Sequence, residues 1–180
     1  MPPNKFDKVA LLYYSFMHFW RLYKDKVILG ILNLKGNETI VDLGGGTGHY
    51  SCLLSKFSKK VVVIDESSKM LGRMPNLKNV EKICGNILNV PFEDDTFDVA
   101  LICDVYHHIE DQKGLLREAF RILKKNGKLV IYDFEVKNPI TKILEIFERF
   151  LFGRLYFMSR DEIESILQKS GFIIKEMICT

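Results

Sequence analysis

Ile40-Val41-Asp42-Leu43-Gly44-Gly45-Gly46-Thr47-Gly48-His49-Tyr50-Ser51 is the stretch whose reading decides the fold. An apolar, β-branched run ends at an aspartate, breaks into glycines and passes at once into an amphipathic segment. That order predicts a strand, a tight turn and a helix start. Glycines at 44, 46 and 48 remove side chains where the backbone must lie against something. The helix start behind them offers unpaired N–H groups, and a nucleotide-like ligand is the natural occupant. The dinucleotide fingerprint G-x-G-x-x-G, counted from Gly44, needs glycine at 49, where His49 stands. No G-x-x-x-x-G-K-[ST] occurs, so a P-loop is excluded. Taken alone, the loop is also compatible with a Gly-rich turn in another α/β protein.

Working outward, strand-like runs at Thr39–Leu43, Lys60–Ile64, Val80–Cys84, Phe97–Cys103, Gly127–Phe134 and Phe172–Cys179 alternate with helical patterns. Those lie near Tyr50–Phe57, Ser68–Met74, Lys113–Leu123 and Arg160–Ser170. Gly127 and Gly171 read as helix ends, and Ser159 with Glu162 as a capping box. The alternation predicts a Rossmann-like, doubly wound α/β fold, with a mostly parallel sheet covered on both faces by helices. Ligands of such sheets bind outside the carboxyl ends of the strands. The expected organisation is one domain over 1–180. It divides into a helical N-terminal arm at 1–36, a ligand-binding core at 37–135, and C-terminal helices with the last strand at 136–180. The arm carries Phe6, Tyr13, Tyr14, Phe16, Phe19, Trp20 and Tyr23. Packing on the sheet is its first reading, a lid over the ligand its second, and a membrane-surface helix its third.

Composition narrows the classes. The chain has 180 residues, 47% of them apolar, and a net charge of +3. That describes a globular chain without the basic excess of a nucleic-acid binder. Cys52, Cys84, Cys103 and Cys179 form no C-x-x-C and no metal-ligand spacing, so free thiols, a reducing cytoplasm and no metal are expected. No signal peptide and no membrane-spanning run is legible.

Three further segments carry chemistry. Asp65 closes Val61-Val62-Val63-Ile64, 17 residues beyond Gly48, at the spacing of a ribose-binding acid. Its carboxylate can accept from two vicinal hydroxyls at once. Gly85-Asn86-Ile87 leads through Val90-Pro91-Phe92 and an acidic turn into Phe97-Asp98. Cys103-Asp104-Val105-Tyr106-His107-His108 follows the fourth strand; adjacent histidines do not share one metal, but either can serve as a base or substrate contact.

Together these segments resemble class I S-adenosylmethionine (SAM)-dependent methyltransferases. The likeness is to the type 11 and ubiquinone/menaquinone C-methyltransferase-like small-molecule enzymes. It covers Glu38 to Asp133 firmly and the two ends loosely. It implies an enzyme of the EC 2.1.1 type that takes SAM and releases S-adenosylhomocysteine (SAH). The methyl group would pass by in-line displacement to a small or lipid-like acceptor. The alternative is a SAM-binding sensor or activating subunit without turnover.

By the same resemblance the cofactor residues are Asp42, Gly44, Gly45, Gly46, Gly48, Asp65, Glu66, Asn86, Ile87, Cys103, Asp104 and Tyr13. His107 and His108 are the catalytic candidates. Asn86 stands where the family has an aspartate that accepts from the adenine amino group, and Glu66 where it has an apolar residue. No nucleic-acid partner is expected; peripheral membrane contact and a homodimer stay open. The family's seventh strand is expected to be missing, which leaves a six-stranded sheet or an edge completed by a second chain.

Overall fold

The computed structural model describes residues 23–133, 146, 149 and 153–178. Its sheet has five parallel strands, β1 (Thr39–Leu43), β2 (Lys60–Asp65), β3 (Val80–Cys84), β4 (Phe97–Cys103) and β5 (Leu123–Tyr132), in the order β3-β2-β1-β4-β5. The register runs unbroken from Thr39↔Lys60 to Leu43↔Ile64 and from Ile40↔Val99 to Asp42↔Leu101. The chain therefore reverses its winding direction between β1 and β4, where doubly wound sheets open a crevice.

Alternation along the strands sorts the core into two layers. Val41, Leu43, Val62, Ile64, Ala100 and Ile102 pack against α4 (Gln112–Ile122) through Leu115, Leu116, Ala119 and Ile122. Ile163, Ile166 and Leu167 of α5 (Arg160–Lys169) lean on that layer. Ile40, Val61, Val63, Val99 and Leu101 face the other way. They meet Ile28 and Leu32 of α1 (Asp25–Leu32), Tyr50 and Leu54 of α2 (His49–Leu54) and Leu71 of α3 (Ser68–Arg73). Burial on both faces is why these strands read as continuous apolar runs.

Helix starts are fixed by side chains. Ser67 accepts from Met70 N–H, Asp111 from Gly114 N–H, and Ser159 with Glu162 closes the expected capping box. Each cap stabilises its helix by about 1 kcal/mol. Glu118 accepts from Val90 N–H, and Arg121 grips Glu118, Asp94 and the Phe92 carbonyl. This network ties α4 to the loop that carries Asn86 and Ile87 toward the crevice.

Two expectations are corrected. Gly127 does not end α4: the helix stops at Ile122 because Leu123 turns extended and pairs with Phe97. The left-handed position nearby is Asn126, φ 67°. Phe172–Cys179 is not a sheet strand within its described part, 172–178. Gly171, φ 92°, turns the chain so that Phe172 meets Phe120 of α4 edge-on at 5.2 Å. Arg160 holds the Met177 carbonyl, so the segment runs back along α5. With Phe172 committed to α4, the segment is not brought into register beside β5; Ile173 is left 81% exposed. The sheet thus has five strands among the described residues, not six.

Of the arm, residues 1–22 and with them Tyr13 lie outside the described residues. From Tyr23 onward the packing reading holds, since Ile28 and Leu32 are buried.

Candidate functional site

The carboxyl ends of β1, β2, β3 and β4 surround a cavity of about 590 Å³. That is an ordinary size for a small-molecule site. The glycine loop forms its floor. Gly44 N–H donates to the Ile64 carbonyl at 2.7 Å, and Gly48 N–H to the Gly45 carbonyl at 2.8 Å. Gly44 and Gly46 hold φ of 79° and 55°, which L side chains rarely adopt. The loop is also too crowded for side chains. A Cβ on Gly44 would stand 2.7 Å from a Val105 methyl, and one on Gly45 would stand 2.6 Å from Asp42 Oδ2. What remains is bare backbone facing the cavity.

Asp65 joins two elements. Its Oδ2 accepts from Gly46 N–H at 2.9 Å and its Oδ1 from Ser67 N–H at 2.8 Å. Each carboxylate oxygen has a further lone pair, so this acid is oriented and still able to accept from a ligand. Asn86 forms a turn of its own, Oδ1 accepting from Leu88 N–H at 2.8 Å, and its carbonyl likewise keeps a second lone pair. Ile87 is buried beside it and Glu66 is exposed at the rim.

Asp42 lies beneath the loop, 2% exposed, accepting from Ser51 Oγ at 2.5 Å. Burial pushes its carboxyl up to about 6; the Ser51 hydrogen bond opposes the shift and the charge of Asp65 adds to it. Cys103 and Asp104 follow at the end of β4, both buried. Burial pushes the Cys103 thiol up, reinforced by Asp104, Asp42 and Asp133.

The opposite wall was not legible as part of the site. His49 Nε2 lies 2.8 Å from Asp25 Oδ1 of α1, and its ring stacks on Tyr23 with centroids 3.5 Å apart. Tyr50 packs edge-on to both and accepts from Lys24 N–H. The polar–aromatic composition of the glycine loop's own continuation, His49-Tyr50, was the available signal. Thr47, Met70, Leu88, Val105, Ile109, Glu110 and Asp111 complete the lining.

Of the expected residues, Asp42, Gly44, Gly45, Gly46, Asp65, Glu66, Asn86, Ile87, Cys103, Asp104 and His108 border this cavity. Gly48 sits just behind it as the left-handed residue opening α2, packed on Met74. His107 points elsewhere. Its Nδ1 lies 2.5 Å from Asp133 Oδ1, its N–H donates to Asp133 Oδ2, and its ring stacks on Phe157 at 5.1 Å. Its carbonyl accepts from Tyr156 N–H, so it pins the 153–159 segment over the ends of β4 and β5. His107→Ala leaves the Asp133 carboxyl, 13% exposed, without its partner; a loss of about 3 kcal/mol in urea unfolding is expected. Among the described residues no group of three or more His, Cys, Asp or Glu is placed to hold a metal ion.

A bare-backbone glycine loop, an oriented strand-end carboxylate and an Asn-Ile pair at a sheet switch point form a constellation that other proteins share. The profile of the type 11 methyltransferase domain matches residues 41–131, half of the chain. The chain belongs to this methyltransferase family. Among curated relatives, the ubiquinone/menaquinone biosynthesis C-methyltransferase UbiE of Salmonella arizonae is 28% identical, aligned over 90% of this chain and 74% of its own length. In structure, the chain in complex with the Trm112 methyltransferase activator of Haloferax volcanii superposes with a TM-score of 0.85 at 20% identity, covering 98% of this chain and 80% of that one. Phosphoethanolamine N-methyltransferase 2 of Haemonchus contortus, solved with SAM, gives 0.69 at 24% identity, over 83% of this chain and 36% of its own. The methyltransferase is thus a SAM-dependent enzyme with a Rossmann-like fold, and SAM is its methyl donor.

Proposed function

We propose that this methyltransferase alkylates a small-molecule acceptor in the cavity at the β1/β4 switch point, and that the glycine loop, Asp65, Asn86, Ile87, Asp42, Cys103 and Asp104 hold SAM there. The observation that carries the reading is Asp65, oriented by Gly46 and Ser67 N–H groups toward the mouth of a loop too crowded for any Cβ at 44 or 45. SAM supplies a methyl group already activated on a sulfonium. The chain's own work is therefore to bind, align and exclude water.

In this assignment Asp65 accepts from the ribose hydroxyls. Asn86 accepts from the adenine amino group while Ile87 covers the ring face. The carboxylates of Asp42 and Asp104 attract the ammonium of the methionine moiety. The Tyr23–His49–Tyr50 wall closes the cavity on the α1 side and bounds the acceptor. His108, which borders the cavity, is the residue placed to take a proton from an acceptor that must lose one; His107 is its neighbour, with ring centroids 4.1 Å apart. The small acceptor is supported by the relatives: UbiE is named for ubiquinone and menaquinone biosynthesis. Among the described residues no helix is long and apolar enough to cross a membrane, and Cys52, Cys84 and Cys103 are free thiols, which supports action in the cytoplasm.

Calorimetric titration with SAH tests the assignment: one-to-one binding is expected, and its absence would refute it. Asn86→Asp keeps the acceptor for Leu88 N–H and adds charge toward the adenine amino group. Equal or up to about tenfold tighter SAH binding is expected, one factor of ten corresponding to about 1.4 kcal/mol. A large loss in that variant would remove Asn86 from the adenine role.

A further inference from the structure

The charges around the cavity are one-sided. Asp42, Asp65, Glu66, Asp104, Glu110 and Asp111 line it, and no described lysine or arginine does. Asp42 and Asp104 are 2% and 8% exposed, so water screens them poorly. Partners within the fold account for part of this charge: Asp65 holds two backbone N–H groups, and Asp111 caps α4 with Arg117 at 3.8 Å. Bound SAM, with a sulfonium, an ammonium and a carboxylate, brings one net positive charge. That leaves a negative surplus. The wall facing it presents Tyr23 and Tyr50, whose ring faces and edges suit an organic cation better than an anion.

We propose that the methyl acceptor is an amine without acidic groups, drawn in as its ammonium, and that carboxylate and phosphate compounds are excluded by the cavity's own charge. This rests on the assignment of the cavity to SAM. The bound ammonium gives one proton to a lining carboxylate. The freed nitrogen lone pair then forms the bond to the methyl carbon as the methyl–sulfur bond breaks, its electron pair remaining on sulfur. The products are SAH and an N-methylammonium ion, and the carboxylic acid returns its proton to water.

The test uses the full chain with three aromatic probes: 2-phenylethylamine, 3-phenylpropionate and, under anaerobic conditions, menadiol. Binding to the SAH-loaded protein is followed by ligand-observed NMR, and turnover with methyl-tritiated SAM. The amine is expected to bind at least tenfold tighter than the acid and to be methylated faster than menadiol. Glu110→Lys should narrow the amine-to-acid gap at least threefold, as should raised salt. An amine that binds no tighter than the acid, or menadiol methylated faster than the amine, overturns the proposal. SAH that fails to bind at all overturns instead the cofactor assignment beneath it.

Discussion

Gly46→Val is expected to abolish measurable SAM and SAH binding while the chain stays folded. Gly46 borders the cavity and gives its N–H to Asp65, and its virtual Cβ meets only the flexible end of Met70, at 3.2 Å, and Asp65 Oδ2 at 3.9 Å. The branched side chain therefore projects into ligand space and not into the core. The positive φ of 55° adds strain of about 1–2 kcal/mol, a fraction of the stability of a domain this size. Gly45→Ala makes the contrast. Its φ is not the obstacle; its methyl would stand 2.6 Å from Asp42 Oδ2 and 2.7 Å from a Val63 methyl, in the packed core. Overpacking there should cost about 3 kcal/mol of stability. Calorimetry and urea unfolding on the two variants separate the effects. Retained SAH affinity in Gly46→Val would show that the loop does not face the ligand.

Asp42→Asn should stabilise the unliganded enzyme and weaken its hold on SAM. The Asp42 carboxyl titrates at about 6 in the fold against an ordinary 3.8. Between these values the folded state binds the proton more tightly than the unfolded chain, so stability falls as pH rises through that window. The penalty is absent below pH 3.8 and complete above about pH 6, where two pH units correspond to about 3 kcal/mol. The asparagine variant escapes it, and its carbonyl still accepts from Ser51 Oγ. At pH 7 its melting temperature should rise by roughly 5–10 °C, and at pH 4 the gain should vanish. SAM affinity should drop at least tenfold at pH 7, because the ammonium loses a buried counter-charge. In the wild type, affinity should decline as pH falls below about 6. Thermal melts at the two pH values and SAH titrations measure both signs; a variant destabilised at pH 7 would contradict the account.

Strands β1, β3 and β4 begin and end where their sequence runs do, since apolar residues buried on both faces leave no other periodicity and turn residues flank them. Most of the cofactor-side residues were legible for a related reason: Asp42, the glycines, Asp65 and Asn86 all stand at strand ends, and strand ends of a parallel sheet share one edge. The α4 terminus was not legible. Gly127 is a strong local stop signal, yet the pairing of Leu123 with Phe97 ended the helix earlier, a long-range hydrogen-bonding choice that no neighbouring residue announces.

The two histidines show the same limit at the site. By sequence they are equivalent; in the fold a 3₁₀ turn over Tyr106–His108 sends His108 to the cavity and His107 under Phe157 onto Asp133. Tyr23 and Asp25 precede the glycine loop by some twenty residues and come to it only through the packing of α1 on β1 and α2. Phe172–Ile178 carries a strand-like pattern but follows the ring of Phe172 onto α4 instead of pairing beside β5. Local pattern by itself determined which segments are strands and which residues crowd the crevice, because period and turn chemistry are properties of neighbours. Only the tertiary structure decided which side chains face the cavity, what orients them and where the sheet stops, because those depend on contacts between segments that the sequence holds far apart.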